Sequence, residues 1–229
     1  MDQDRIITSL RGSLLFERAD EDALADVARG LRRRRFRRSE TIFHQGDPGD
    51  SLHLVSSGAI KIVLPSVEGD EAIIATLRSG DFFGELALLD GAPRSATAVA
   101  LEASETWTLT RELLHELLDR DRTLRDSLLA GLARELRRLT GQVEELHFLD
   151  LAGRLSMRLA RLARDAEPDA NDVRLDWPYT QSDLAAMIGG TRQSVNKLLA
   201  GLVGRGLVII QRDTLIVPDV DALEREASR

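Results

Sequence analysis

Cysteine is absent from this chain of 229 residues. Its absence excludes disulfides, thiolate zinc sites, iron–sulfur clusters and redox sensing through cysteine. Four histidines are present, at His44, His53, His115 and His147, and their spacing matches no common metal-binding pair. We therefore predict no metal site.

Long apolar runs are also missing. No stretch of about 18 apolar residues is available to span a membrane. The first residues, 1–5, lack the basic start and apolar stretch of a signal peptide. We expect a cytoplasmic protein with no membrane partner. The formal net charge of −7 argues against non-specific wrapping of nucleic acid, but it leaves room for a local DNA-binding face.

Turn signals dominate the region from about 33 to 108. They separate short apolar runs at 51–55, 59–64, 72–77 and 97–101. Regular short strands of this kind predict an antiparallel barrel or roll. The preceding stretch, 6–31, has the apolar spacing of short helices, with Leu14 among its apolar positions.

A long helical stretch is predicted from about 111 to 148. Its apolar residues recur at alternating spacings of three and four, at Leu129, Leu132, Leu136, Leu139, Val143 and Leu146. One interpretation is a helix packed against its own domain, and the other is the seam of a parallel homodimer. The narrow stripe and its strongly charged flanks favour the dimer.

The C-terminal region has the pattern of a helix-turn-helix. Thr180 to Asp183 is a variant of the capping box that opens a helix over 181–188. Gly189 and Gly190 form a tight turn before a second helix, 192–203. Strands at 207–211 and 214–217 then predict a β-hairpin wing. In such a motif the second helix enters the major groove of DNA.

The start of the second helix carries the residues that we expect to contact DNA. Arg192 suits guanine, Gln193 suits adenine, and Lys197 reaches guanine or phosphate. Thr191 and Ser194 suit phosphate contacts. The alternative is an ordinary helical hairpin with a solvated polar face.

A segment bounded by glycines, 82–97, carries a carboxylate, a guanidinium and a hydroxyl: Glu85, Arg94 and Ser95. The fork of an arginine matches phosphate oxygens, and a carboxylate accepts from a ribose hydroxyl. This segment predicts a site for a small nucleotide. The alternative is an ion pair between Glu85 and Arg94 across a ligand-free turn, which contributes little net stability.

Three segments together resemble the Crp–Fnr family of transcription regulators. Residues 83–97 resemble the phosphate-binding cassette of cyclic-nucleotide-binding domains, 180–217 the family's winged helix-turn-helix, and 148–154 its hinge. The resemblance implies an α+β protein with a jelly-roll-type sensor, 1–110, a dimerisation helix and hinge, 111–149, and a DNA-binding domain, 150–229.

The resemblance also implies roles for cassette residues. Gly84 and Leu86 would offer backbone groups to the ligand, and Glu85 would bind the ribose 2′-hydroxyl. Arg94 and Ser95 would bind the cyclic phosphate. Every one of these residues lies within the segment that was singled out above on its chemistry alone.

The base of the nucleotide is less well specified. Relatives that bind cyclic AMP contact adenine through two hydroxyl residues, and the matching positions here are Leu139 and Thr140. Leu139 cannot hydrogen-bond a base. Cyclic AMP is the expected effector, while a constitutive form, another nucleotide such as cyclic di-GMP, or a haem or gas sensor remain as alternatives.

The implied function is a ligand-responsive transcription regulator that binds a two-fold symmetric operator. Relatives that recognise a TGTGA-like half-site carry Arg, Glu and Arg at the positions of Arg192, Gln193 and Lys197, so we expect an altered preference opposite Gln193.

We predict no enzymatic activity, because 151–229 contains no nucleophile–base constellation. The arginine run 32–38 falls where some relatives carry a basic patch that touches RNA polymerase, so the resemblance implies such a contact; the alternative is a solvated strand edge that is kept from pairing.

Overall fold

The computed structural model describes residues 2–13, 15–16, 19 and 21–228. Met1, at the start of the predicted sensor, and Leu14 lie outside these residues. The chain forms two compact units, one of residues 1–69 with 73–138 and the other of 70–72 with 139–229. The domain boundaries at 110 and 149 stay predictions.

The strands of the first unit form two four-stranded sheets. In chain order they are β1 (Arg32–Phe36), β2 (Thr41–Phe43), β3 (Ser51–Ser57), β4 (Ile60–Pro65), β5 (Glu71–Leu77), β6 (Phe82–Phe83), β7 (Thr97–Ala100) and β8 (Ser104–Thr110). The sheet orders are β1-β8-β3-β6 and β2-β7-β4-β5. The predicted roll is confirmed.

The core of the roll follows from the alternation of side chains along its strands. One face of each sheet meets the other in an apolar cluster of Phe36, Val55, Ile60, Phe83, Ala98 and Ala100. The outer face of the first sheet, with Leu52, Leu54, Trp107 and Leu109, packs on residues of the helices α1 (Asp2–Arg11) and α2 (Glu21–Gly30). Each fully buried leucine stabilises the fold by about 1.5–3 kcal/mol.

The arginine run forms β1, an outer strand of the first sheet. Its Arg33 and Arg35 both donate to the Glu105 carboxylate on the neighbouring strand β8, and the bond from Arg35 Nε is 2.8 Å long. Both hydrogen bonds lower the pKa of Glu105, and the bond from Arg33 has the larger effect. Within the described residues, the strand β1 therefore pairs only with β8 and presents arginine side chains to solvent, as the interpretation of a solvated strand edge requires. A contact with RNA polymerase stays a prediction.

The helical stretch predicted from 111 to 148 is interrupted. A short helix, α3 (Glu85–Asp90), lies earlier in the chain, within the cassette. The predicted stretch itself is divided into two helices that follow β8, α4 (Arg111–Arg120) and α5 (Arg122–Phe148). Between them Asp121 has an extended backbone, and its carboxylate accepts from Thr123 N at 2.8 Å and Leu124 N at 3.2 Å. Aspartate caps a helix start in this way, so a single residue ends one helix and begins the next.

The second unit contains α6 (Leu151–Ala166), β9 (Val173–Asp176), α7 (Gln181–Ile188), α8 (Arg192–Gly204), β10 (Ile209–Gln211), β11 (Thr214–Val217) and α9 (Val220–Ala227). The predicted bounds of α7 are confirmed, and the wing is confirmed with a shorter first strand. It belongs to a sheet of order β10-β11-β9. The final helix, α9, was not predicted.

Candidate functional site

Glycines shape both ends of the cassette helix. Gly84, just before α3, and Gly91, just after it, have φ values of 83° and 74°, a left-handed conformation that favours glycine. A Cβ added to Gly84 would lie 2.5 Å from Nη1 of Arg94. Gly84 is therefore required both for the turn and for the close approach of the arginine.

Arg94 is enclosed by the roll, with 4% of its surface exposed. Nη1 donates to the Gly84 carbonyl at 2.7 Å, and Nη2 donates to the Ser51 carbonyl at 2.8 Å. The guanidinium carbon lies 4.2 Å from the centre of the Phe43 ring, a cation–π contact. Nε is buried without a hydrogen-bond partner among the described residues. The arginine thus keeps its Nε donor unused in buried surroundings.

The ion pair considered between Glu85 and Arg94 is not formed. The carboxylate that Arg94 meets belongs to the exposed Asp50, at 4.0 Å. Burial raises the pKa of Glu85, and the Glu135 carboxylate raises that pKa further, while a hydrogen bond from the backbone and the charge of Arg94 oppose both. Burial likewise lowers the pKa of Arg94. Each charge at this site is thus incompletely compensated by the protein.

The remaining candidate ligand residues have more open surroundings. Leu86 is exposed at the start of α3, and Ser95 is exposed beside Arg94, where its carbonyl accepts from Gln45 Nε2 at 3.2 Å. Thr140 is exposed on α5, and Leu139 before it is half-buried. Leu139 and Thr140 belong to the second unit, whereas the cassette belongs to the first.

An aromatic layer lies beneath Arg94, and sequence reasoning missed it. His53 stacks on Phe83 with ring centres 4.9 Å apart, and Phe43 lies 5.8 Å from Phe83. Burial, helped by the positive charge of Arg94, lowers the pKa of His53 to about 3. The ring is therefore neutral at pH 7, and its Nδ1 lies 3.2 Å from Oγ1 of Thr106. Strand alternation would have placed His53 inside the roll.

The helix-turn-helix is built as its capping residues predict. Thr180 accepts from Asp183 N at 3.1 Å, and the Asp183 carboxylate accepts from Thr180 N at 2.9 Å, which completes a capping box. Gly189 ends α7 with a φ of 69°. Thr191 caps α8 by accepting from Ser194 N at 3.1 Å. The turn and both helix starts are thus specified locally.

The candidate DNA-contacting residues lie at the start of α8. Arg192, Gln193 and Lys197 are exposed, and none of their side chains has a hydrogen bond or ion pair within the described part of the chain. The Thr191 and Ser194 hydroxyls lie 2.9 Å apart, so they hydrogen-bond each other. The opposite face of α8 is buried through Val195, Leu199 and Leu202. The polar edge is therefore free to meet a ligand.

The predicted seam is largely uncovered in the single chain. Leu129, Leu136, Val143 and Leu146 expose between 54% and 67% of their surfaces. Leu132 and Leu139 are half-buried. Large aliphatic side chains repeated along one helix expose an apolar stripe of the kind that marks an interaction surface.

Comparison with known proteins identifies the family. Residues 33–121 match the family model of the cyclic nucleotide-binding domain, and 153–226 match that of the Crp-like helix-turn-helix domain. A CRP-like cAMP-activated global transcriptional regulator of Mycobacterium tuberculosis is 30% identical over 214 residues, which cover 93% of this chain and 96% of the relative. The chain belongs to the Crp–Fnr family. It is therefore a ligand-responsive, DNA-binding transcription regulator and not an enzyme.

Two further Crp–Fnr proteins show the extent of the similarity. The cyclic AMP receptor protein of Thermus thermophilus is 32% identical over 218 residues, covering 95% of this chain and 98% of the relative. The structure of FixK2 from Bradyrhizobium japonicum has a TM-score of 0.77 at 20% identity, covering 85% of this chain and 96% of FixK2, and supports the fold alone. Within the described residues, no helix combines the length and apolar character of a membrane span.

Proposed function

We propose that this chain is a cytoplasmic homodimer whose effector is a cyclic nucleotide, with cyclic AMP preferred, and whose target is a two-fold symmetric operator. The observation that carries the effector proposal is Arg94, a guanidinium that is almost fully buried yet keeps Nε without an acceptor. A buried unsatisfied donor is costly, and a phosphate oxygen would satisfy it. The similarity to a cAMP-activated regulator of M. tuberculosis supports the choice of nucleotide.

The remaining effector contacts follow from the cassette. Ser95 would complete the phosphate site beside Arg94, and the backbone of Gly84 and Leu86 would border it. Glu85 would accept from the ribose 2′-hydroxyl. Burial and the Glu135 carboxylate raise the pKa of Glu85 and so disfavour its charged form. A hydroxyl that donates a hydrogen bond to Glu85 stabilises that charged form.

Recognition of the base would depend on a single hydroxyl. Thr140 can hydrogen-bond adenine, whereas Leu139 offers only an apolar surface. We therefore propose that the phosphate and sugar contribute most of the affinity and that discrimination between cyclic AMP and cyclic GMP is modest.

The exposed stripe on α5 supports the homodimer. A second copy of the stripe would cover Leu129, Leu136, Val143 and Leu146, whose present exposure is unfavourable in water. A parallel pair of α5 helices has two-fold symmetry, and two copies of α8 would then read two half-sites of DNA. In each half-site Arg192 would contact guanine, and Gln193 and Lys197 would contact the neighbouring bases or phosphates.

Isothermal calorimetry tests this proposal. The purified protein is titrated with cyclic AMP, cyclic GMP and cyclic di-GMP, with and without an operator obtained by binding-site selection. We expect cyclic AMP to bind, and the operator to tighten that binding by the same factor by which cyclic AMP tightens operator binding. The absence of binding by every nucleotide would overturn the effector proposal, and a lack of coupling would overturn its regulatory part.

A pair of arginine variants distinguishes a phosphate site from an effect of net charge. Arg94→Leu removes the buried guanidinium and should abolish nucleotide binding. Arg37→Leu removes an exposed arginine of the same unit and should leave binding unchanged. Equal losses in both variants would indicate an effect of net charge rather than a phosphate site.

A further inference from the structure

Arg111, the first residue of α4, connects the cassette helix to a loop that lies far away in the sequence, at Gly49 and Asp50. Its Nη1 donates to the Leu88 carbonyl at 2.9 Å, and its Nη2 donates to the Ala87 carbonyl at 2.7 Å. Nη2 also donates to the Gly49 carbonyl at 2.7 Å. The backbone N–H of Arg111 donates to the Asp50 carbonyl at 3.0 Å. One residue therefore holds two segments that lie far apart in the sequence.

The cassette helix needs such support. A helix of six residues is too short to be stable on its own, and its last carbonyls have no partner within the helix. Arg111 supplies donors and a positive charge at that end, where the helix dipole is negative. The imidazole of His115 adds a contact, with Nε2 3.1 Å from the Leu88 carbonyl. Residues of α4 thus support the C-terminal end of α3, whose buried Ala87 and Leu88 pack against the rest of the unit.

Both segments held by Arg111 border Arg94. The loop at Gly49 leads directly into Ser51, whose carbonyl accepts from Arg94. The loop and the helix are in close contact, since a Cβ added to Gly49 would lie 2.3 Å from the Cβ of Ala87. A change at Arg111 would therefore alter the spacing between the two walls of the phosphate site.

We propose that Arg111 is a positioning residue of the effector site. The inference rests on the proposed function, and it assigns Arg111 no contact with the effector. Its guanidinium fixes the distance between α3 and the loop at Gly49 that leads into β3, and so places Glu85 and Arg94 for simultaneous contact with sugar and phosphate. Without that fork the two segments separate, and the effector binds more weakly.

Arg125 provides a matched control in the same unit. Its Nε and Nη2 donate to the Leu118 carbonyl at 3.1 and 2.6 Å, near the end of α4. The chemistry is the same as at Arg111, but the capped carbonyl lies near the C-terminal end of α4, whereas Arg111 is the first residue of α4 and contacts the cassette helix from there. Arg125→Met should therefore remove a comparable structural contact without disturbing the effector site.

The experiment compares Arg111→Met, Arg111→Lys and Arg125→Met with the wild-type protein. Calorimetry measures the affinity for cyclic AMP, and thermal unfolding measures stability. Because hydrogen bonds made by a charged group are lost, we expect Arg111→Met to weaken cyclic AMP binding by at least about tenfold. Arg111→Lys should lie in between, since lysine keeps the charge but not the fork. Arg125→Met should bind cyclic AMP within about twofold of the wild-type protein.

A second measurement separates positioning from general damage. At saturating cyclic AMP, Arg111→Met and Arg111→Lys should bind the operator as tightly as the wild-type protein does. If the wild-type protein binds cyclic AMP and all variants bind it equally well, the positioning role is wrong while the proposed function stands. Weakening that is equal in Arg111→Met and Arg125→Met also overturns the positioning role. If the wild-type protein binds no cyclic nucleotide, the proposed function and this inference fall together.

Discussion

Arg94 and Arg192 are both proposed to meet an anionic ligand, and their surroundings are opposite. Arg94 is buried in the roll, and protein carbonyls already occupy two of its nitrogens. Arg192 is exposed at the start of α8 and has no partner among the described residues. Arg94 therefore makes contacts that stabilise the first unit. The side chain of Arg192 makes no hydrogen bond or ion pair, within the described part of the chain, that would stabilise the second unit.

This difference has a physical origin. A small ligand must be enclosed to be recognised, so the groups that bind it are taken out of water and need protein partners while the site is empty. DNA is read from outside, so the groups that contact it stay solvated until they bind. A substitution at Arg94 should therefore lower the stability of the first unit, whereas a substitution at Arg192 should weaken DNA binding and leave stability unchanged.

The largest effect is expected for Arg192→Met on operator binding. Loss of a bidentate contact to guanine costs about 1–3 kcal/mol in each half-site, and a homodimer loses two such contacts. Stability should change by less than about 0.5 kcal/mol, because the side chain has no protein partner. Fluorescence anisotropy with labelled operator gives the affinity, and urea unfolding gives the stability. A clear loss of stability would contradict the independence of this arginine.

Arg94→Met should instead destabilise the sensor. The carbonyls of Gly84 and Ser51 lose their donors, and two such buried groups cost about 3 kcal/mol together. The two tryptophans allow each unit to be followed separately, since Trp107 lies in the first unit and Trp177 in the second. In a Trp177→Phe background, urea unfolding reports the sensor, and its midpoint should fall.

The control uses the other tryptophan. In a Trp107→Phe background, Arg94→Met should leave the unfolding of the second unit unchanged, as judged by Trp177 fluorescence. An unchanged sensor midpoint in the first background would show that the buried bonds of Arg94 contribute no net stability, and the contrast between the two arginines would disappear.

The smallest expected effect is a dependence of sensor stability on pH. His53 is neutral in the folded roll because burial lowers its pKa from 6.5 to about 3. Below pH 6.5 the unfolded chain takes up a proton that the folded chain does not, so stability falls as the pH falls towards 3. Between pH 7 and pH 5 the loss from this residue is about 2 kcal/mol.

His53→Phe tests this dependence. In the Trp177→Phe background, the variant should lose less stability than the sensor that keeps His53 between pH 7 and pH 5, as measured by urea unfolding through Trp107. The other three histidines are present in both proteins, so their contributions cancel. Parallel pH profiles would indicate that His53 is protonated in the folded state or is exposed.

Local signals in the sequence were reliable where a few adjacent residues specify the structure. The capping box from Thr180 to Asp183 and the glycine turn after it predicted the helix-turn-helix, because their bonds span only three residues. The interruption at Asp121 escaped prediction, since the apolar spacing runs through it. The helix α3 also escaped prediction, because six residues are too few to show a helical apolar pattern and the donors at its end come from Arg111, far along the chain.

The sequence by itself determined the residue types of both sites and the periodic stripe on α5. Only the tertiary structure decided what those residues contact. Ser51 and Phe43 meet Arg94 from 43 and 51 positions away, and Gly49 meets Arg111 from 62 positions away. Local spacing carries no information about such distant partners. They are brought together by the pairing of strands and the burial of apolar faces, which involve the whole roll.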